Sequence, residues 1–182
     1  MLSTDQRLLQ AHCQGDPDAF GQIVRGHGPA VLGYLIRMCS DRDMAEDYLQ
    51  ETFKRLHEKA PTIEGRAVRQ WLFKVATNIA MDGFRKKKRQ PAPADRDPVD
   101  LEPAVDPGRG PSEDLVHAEQ ARQVRAALAS LPARQRTTLV LAYYQKLTYP
   151  EVAQILGCSV GTVKTQMSRA LHALAKKLPD PS

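Results

Sequence analysis

The sequence is poor in the side chains on which covalent chemistry and cross-linking depend. Its three cysteines, Cys13, Cys39 and Cys158, are odd in number and widely spaced. That excludes a disulfide framework and a Cys-x-x-Cys metal site, and they read as reduced thiols. The five histidines suggest no Ser/His/Asp or Cys/His arrangement, and no phosphate-cradling glycine loop occurs. No catalytic residue, metal or cofactor is therefore expected. There is no run of eighteen apolar residues, and the opening Met1-Leu2-Ser3-Thr4-Asp5 lacks the basic and apolar regions of a signal peptide. A cytosolic protein without membrane insertion is expected. Alternation with period two is missing over any useful length, whereas apolar residues recur at three and four, which predicts an all-α protein.

What is present is positive charge, 26 Lys and Arg against 21 Asp and Glu, for a net +5. Such an excess favours an anionic partner, either nucleic acid or a membrane surface. It is unevenly placed. Residues 1–89 hold fifteen cations and eleven acids, residues 90–111 two and five, and residues 112–178 nine and four. The acidic middle also carries Pro91, Pro93, Pro98, Pro103, Pro107, Gly108, Gly110 and Pro111, the composition of a flexible linker. The chain is thus read as two small helical domains, residues 1–90 and 112–178, joined by a Pro-rich linker at 91–111.

In the first domain a helix is predicted from about Asp5 to Gln14, stopped by Gly15. Asp16 then caps a second helix with Pro17 in its first turn. Gly26, Gly28 and Pro29 interrupt its pattern, and a kink is expected there. A third helix starts near Asp41 to Asp43 and ends before Pro61, with Met44, Tyr48, Leu49, Phe53 and Leu56 inward. A fourth follows the loop Pro61 to Arg66 with the stripe Val68, Trp71, Leu72, Val75 and Ile79. It closes in Arg85-Lys86-Lys87-Lys88-Arg89, a run suited either to a solvated helix C-terminus or to phosphate contact.

In the second domain Ser112, Glu113 and Asp114 open a helix that turns Leu115, Val116, Val124, Ala127 and Leu128 to one side. Pro132 starts another, with Leu139, Val140, Leu141 and Tyr143 buried. Thr148-Tyr149-Pro150-Glu151 then has the form of a capping box. A short helix follows with Val152, Ala153, Ile155 and Leu156 inward, Gly157 ends it, and Ser159 caps the next only two residues on. So short a connection forces a steep crossing, for which Ala153 is suitably small, with Val163 and Met167 packing back. This is the helix-turn-helix pattern, whose second helix enters the major groove. The outward residues Thr162, Lys164, Thr165, Gln166, Ser168 and Arg169 include no acid, which suits contact with base edges and phosphates.

The segment from Leu131-Pro132-Ala133-Arg134-Gln135-Arg136 through Val160-Gly161-Thr162-Val163-Lys164 resembles the promoter-binding domain of the extracytoplasmic-function (ECF) group of bacterial sigma factors. Asp43-Met44-Ala45-Glu46-Asp47-Tyr48-Leu49-Gln50-Glu51-Thr52-Phe53 is similar to that family's polymerase-binding helix, and Trp71 through Ala80 to its promoter-melting segment. The resemblance covers the chain outside the linker and the last few residues. It implies a subunit that binds core RNA polymerase, directs initiation at promoters and is not an enzyme. Asp47, Gln50, Glu51 and Phe53 would serve docking on the clamp helices of the polymerase's largest subunit. Asn78 would read a flipped base of the −10 element, with Asp82, Arg85 and Lys86 bordering it. Thr162, Lys164, Thr165, Ser168 and Arg169 would meet the −35 element. Family members often carry an arginine or an aromatic where Lys164 and Ser168 stand. Lysine has no bidentate fork for guanine, so base readout would lean on Arg169. An anti-sigma protein is a further partner that the resemblance implies.

The rival reading is a dimeric helix-turn-helix repressor or activator, which would bind a palindromic operator and ignore polymerase. A repressor has no reason to carry the match between Asp47 and Asn78. RNA or membrane contact lacks its usual aromatic-bearing sheet or amphipathic terminal helix.

Overall fold

The computed structural model describes residues 3–63, 67–89 and 111–178. Among these residues every regular element is helical. The expected linker lies outside them apart from Pro111, as do the side chains expected at Ser112 to Val116.

Helix α1, Thr4–Cys13, begins with Ser3 and Gln6 in a reciprocal capping box, and Gly15 follows it at φ 94°. The Asp16 carboxylate caps the next turn, accepting from the Asp18 and Ala19 amides at 2.9 and 3.3 Å. Helix α2, Ala19–Cys39, then runs unbroken through Pro29. Pro29 is exposed, so water can serve the carbonyl that its missing N–H leaves without a donor. Asp41 caps α3, Arg42–Lys59, accepting from Met44 N at 3.0 Å. A 3₁₀ turn, Ala60–Thr62, follows α3, and α4 spans Val68–Arg89.

The core of this first unit is built from Ile23, Val31, Leu35, Leu56, Leu72 and Phe73 and their neighbours. Ring edges meet ring faces at Tyr34 and Phe73, 5.4 Å between centroids. Inside it, Thr77 donates to the Phe73 carbonyl at 2.6 Å, which leaves its oxygen to accept from the Tyr34 hydroxyl at 2.7 Å. Two buried hydroxyls are thereby satisfied without water.

The second unit opens with α5, Pro111–Ala129, and α6, Ala133–Leu139. From Val140 to Tyr144 the helix widens into a π turn, with Gln145 N donating to Val140 O and Leu147 N to Leu141 O at 3.2 and 3.3 Å. The extra residue per turn rotates the side chains beyond it about the helix axis. It corrects one expectation: Tyr143, predicted inward on a regular helix, is 64% exposed, while Gln145 turns into the protein and is buried. Lys146 takes a left-handed φ of 56° and redirects the chain into α7, Tyr149–Leu156, which is followed by α8, Val160–Ala175.

The two units pack on each other. Val140, Leu141, Leu147, Val152, Ala153, Ile155 and Val163 belong to the same continuous apolar cluster as the first unit's core. Polar groups cross the seam as well. Arg69 donates to the Gln145 carbonyl, Gln70 to the Glu151 carboxylate at 2.8 Å and the Gln145 amide to the Ala30 carbonyl at 3.4 Å. Arg136 donates to the Met38 carbonyl at 2.6 Å, and Arg37 lies over the Tyr144 ring, 4.3 Å from its centroid. One donor of this seam is unserved: Arg136 Nε is buried with no hydrogen-bond partner among the described residues. Such a group costs about 1–3 kcal/mol.

Candidate nucleic-acid interface

The turn between α7 and α8 is made by local chemistry. Thr148 N donates to the Glu151 carboxylate at 2.7 Å, and Glu151 N to the Thr148 hydroxyl at 3.5 Å. The Thr148 hydroxyl also donates to that carboxylate at 2.7 Å. These bonds, joined by the amide of Gln70, hold the Glu151 carboxyl below its ordinary range. Gly157 closes α7 in the left-handed region at φ 62°. Ser159 caps α8, its Oγ accepting from Thr162 N at 3.1 Å and lying 3.0 Å from the Thr162 hydroxyl. Val152, Ala153, Ile155, Val163 and Met167 are buried between the two helices and the rest of the protein.

With α8 fixed by those contacts, its opposite side is presented to solvent. Lys164, Thr165, Ser168 and Arg169 are exposed there and Thr162 half-buried. Two of the hydroxyls are already in use, Thr162 at the cap and Thr165 on the Gly161 carbonyl at 3.0 Å. That leaves the heads of Lys164 and Arg169 and the Ser168 hydroxyl as the groups with the most freedom to bond. No carboxylate stands anywhere on α8.

On α4, Asn78, Asp82, Arg85 and Lys86 are all exposed, and their spacing of four, three and one puts them along one side of the helix. Asp82 and Arg85 pair at 3.0 Å, so the cation is partly neutralised by its neighbour until a stronger anion competes. Lys87 and Arg89 extend the exposed basic end. Half-buried Trp71 packs against the core, as expected.

On α3, Asp47 and Gln50 are exposed, and Glu51 is half-buried and paired with Arg55 at 2.8 Å. Phe53 does not share their surface. It is 7% exposed and meets Phe20 edge to face at 6.5 Å between centroids, so it braces the helix that carries the other three.

Sequence reasoning missed the contact that sets α3 against α4. Tyr48 lies in the space that a side chain at Gly83 would fill: a Cβ built there would strike the Tyr48 hydroxyl and sit 2.7 Å from its Cζ. A lone glycine inside an amphipathic helix was the available signal. The cysteines are free, Cys13 exposed and the other two half-buried, and burial pushes the Cys39 thiol up to about 12. No group of three or more metal-ligating side chains occurs among the described residues. Nor is any of their helices long and apolar enough to cross a membrane.

Comparison with known proteins bears on both units. Residues 23–90 match the family Sigma-70 region 2, and residues 121–174 the family Sigma-70, region 4. The chain is 33% identical over 179 residues to the ECF RNA polymerase sigma factor SigW of Bacillus subtilis, covering 92% of each. It is 33% identical over 178 residues to the ECF RNA polymerase sigma factor SigM of Mycobacterium tuberculosis, covering 96% of this chain and 85% of that one. Among solved structures it is similar to CnrH in complex with the cytosolic domain of CnrY, with a TM-score of 0.73 at 25% identity over 99% and 100% of the two chains. It is also similar to the sigma factor RpoE in complex with the anti-sigma factor NepR from Bartonella quintana, with a TM-score of 0.68 at 26% identity over 91% and 99%.

Proposed function

Since the chain belongs to the ECF group of the sigma-70 family of RNA polymerase sigma factors, it is a DNA-recognising specificity subunit of RNA polymerase and not an enzyme, and we propose how its residues divide that work. Residues 1–90 form the polymerase-docking and −10-reading unit, 91–111 the linker, and 112–178 the −35-reading unit. The repressor reading leaves the match of residues 23–90 to Sigma-70 region 2 without a purpose.

Asp47, Gln50 and Glu51 dock on the polymerase clamp helices, where carboxylates and an amide on one helical side can meet cations and amides of a partner coiled coil. Phe53 acts beneath them, by fixing α3. Asn78 reads a base extruded from the −10 element, because an amide offers a donor and an acceptor to one base edge. Asp82, Arg85 and Lys86 border that base, the cations on phosphate. Strand separation then needs no chemistry from this chain. Capturing unpaired bases shifts the equilibrium toward the open state against an unstacking cost of a few kcal/mol per base.

In the second unit Arg169 is the principal base reader of the −35 element. Lys164 and Ser168 supply phosphate and adaptable polar contacts, while Thr162 and Thr165, their hydroxyls engaged on α8, fix its approach. The observation that carries this reading is the acid-free, exposed side of a helix whose start is fixed by three successive local devices, at Thr148, Gly157 and Ser159. The protein works in the cytoplasm, where polymerase is. By its likeness to sigma factors solved with partner proteins, it is held in check by an anti-sigma protein.

The test is transcription by core polymerase reconstituted with this chain on sheared genomic DNA, with mapping of transcript starts. Starts should fall downstream of one shared pair of sequence elements. Asn78→Ala should lower strand opening at a given promoter occupancy, and Arg169→Ala should lower occupancy itself. Starts no different from those of core enzyme alone would refute the assignment.

A further inference from the structure

The packing of α1 on the rest of the first unit brings together two histidines that are 45 residues apart in the chain. His12 stands in the last turn of α1 and His57 in the last turn of α3. His12 Nε2 and His57 Nδ1 face each other at 3.0 Å, with ring centroids 5.0 Å apart and planes inclined at 48°. Phe20 of α2 meets both rings, at 4.8 and 5.5 Å between centroids, and is itself braced by the buried Phe53. The pair thus rests on an aromatic floor that fixes the two rings. His57 is exposed and His12 half-buried, so solvent and solutes reach them. The third histidine of this region is differently placed: His27 meets the Asp5 carboxylate at 2.9 Å, an acceptor that satisfies its N–H outright.

Two nitrogens bound to one zinc-like ion at 2.0–2.1 Å stand about 2.8–3.4 Å apart, for angles between a right angle and the tetrahedral one. The separation of 3.0 Å between His12 and His57 falls in that range. We propose that this pair is a binding site for a divalent transition-metal ion of the zinc class, with water filling its other positions. Imidazole nitrogens suit zinc, nickel and copper, whereas magnesium and calcium take oxygen ligands. One tautomer change is needed. The ring that donates across the pair moves its proton through solvent to its own far nitrogen, both facing nitrogens then present lone pairs, and no proton is lost overall. With two protein ligands the ion is open and exchangeable, unlike the closed four-ligand sites of structural zinc. It ties α1, which lies ahead of the residues matching Sigma-70 region 2, to the end of α3. Because the two ligands meet only in the folded chain, binding stabilises the fold. The site stands independently of the tasks proposed above for the DNA-reading and polymerase-docking residues.

The test is calorimetric titration of ZnCl2 into the full chain, untagged and with its cysteines reduced. The parent should bind one ion per chain, and MgCl2 should give no binding heat. H12Q and H57Q should each weaken zinc at least about tenfold, since loss of a ligand costs no less than the 10–100-fold seen on loss of a ligand's hydrogen-bond partner. H27Q and C13S should bind as the parent does, the latter because the exposed thiol beside His12 takes no part. In denaturant unfolding, zinc at a hundred times its dissociation constant should lower the parent's unfolding equilibrium constant up to about a hundredfold, and should leave H12Q and H57Q nearly unmoved. Matching helical circular dichroism verifies that these variants are folded. A parent that does not bind zinc, binding that survives both H12Q and H57Q, binding lost in C13S or H27Q, or zinc that binds without stabilising the fold would each overturn the site.

Discussion

At the level of single residues, the structure assigns the most exact tasks to Glu151 and Gly83. Glu151 is held below its ordinary range chiefly by the Thr148 backbone amide, then by the Thr148 hydroxyl and Gln70. Its folded value lies under its unfolded one, so the stability it contributes is present above the unfolded carboxylate range and is lost as pH falls through the folded value. Thermal unfolding of the parent and of Glu151→Gln, followed from neutral pH downward, should show the parent's advantage shrinking in acid; a constant difference would contradict the assignment. At Gly83 a methyl group must displace Tyr48. Gly83→Ala should cost roughly 1–3 kcal/mol in denaturant unfolding, the usual penalty of overpacking. Adding Tyr48→Phe should relieve the clash only in part, because it removes the hydroxyl contact but leaves the ring carbon Cζ at 2.7 Å. The capping role of Glu151 could be read from Thr148 and its spacing alone. The notch at Gly83 could not, because it depends on which helix lies across it.

For the elements, legibility followed the range of the forces involved. The limits of α7 and α8 fell where Thr148, Gly157 and Ser159 put them, since a cap is decided by residues three apart. A kink is expected at Gly26, Gly28 and Pro29, and α2 is one continuous helix through them. Helical order survives one missing N–H where residues on both sides of the interruption, Ile23 before it and Val31, Tyr34 and Leu35 after it, are packed in the core. Tyr143 was misplaced because a period of 3.6 was assumed across Val140–Tyr144, where the π turn adds a residue. On α8 the exposed cations have different proposed tasks, and DNA titrations over a range of salt can separate them. Lys164→Ala should weaken binding to all sequences and reduce the logarithmic salt slope by about one. Arg169→Ala should cost about 1–3 kcal/mol and relax preference at one base pair. Equal effects of both variants on specific and random duplexes would contradict the base-reading role of Arg169.

Taken as a whole molecule, the protein is two helical units whose surfaces we propose to serve different partners. Asp47 and Gln50 on α3, Asn78, Asp82, Arg85 and Lys86 on α4, and Lys164, Thr165, Ser168 and Arg169 on α8 remain exposed while the units are packed together. The seam itself uses Arg69, Gln70, Arg136 and Gln145. The acidic, Pro-rich residues 91–111, read as a linker, lie outside the described residues apart from Pro111, and the pattern of apolar residues placed most of the core of both helical units. The docking of one unit on the other was not legible. Its apolar residues, such as Leu141 and Val152, read equally well as the private core of the second unit, and its polar bonds end largely on backbone carbonyls, which carry no sequence signature.

That this chain is a polymerase subunit with its docking side on α3 can be decided by co-elution with bacterial core RNA polymerase on a sizing column. The parent chain should co-elute at one copy per polymerase, and Asp47→Ala combined with Gln50→Ala should weaken the complex while leaving the helical circular dichroism of the free chain unchanged. A parent that fails to bind at low salt, and instead runs as a dimer that retards palindromic DNA, would contradict the sigma-factor assignment and favour a repressor.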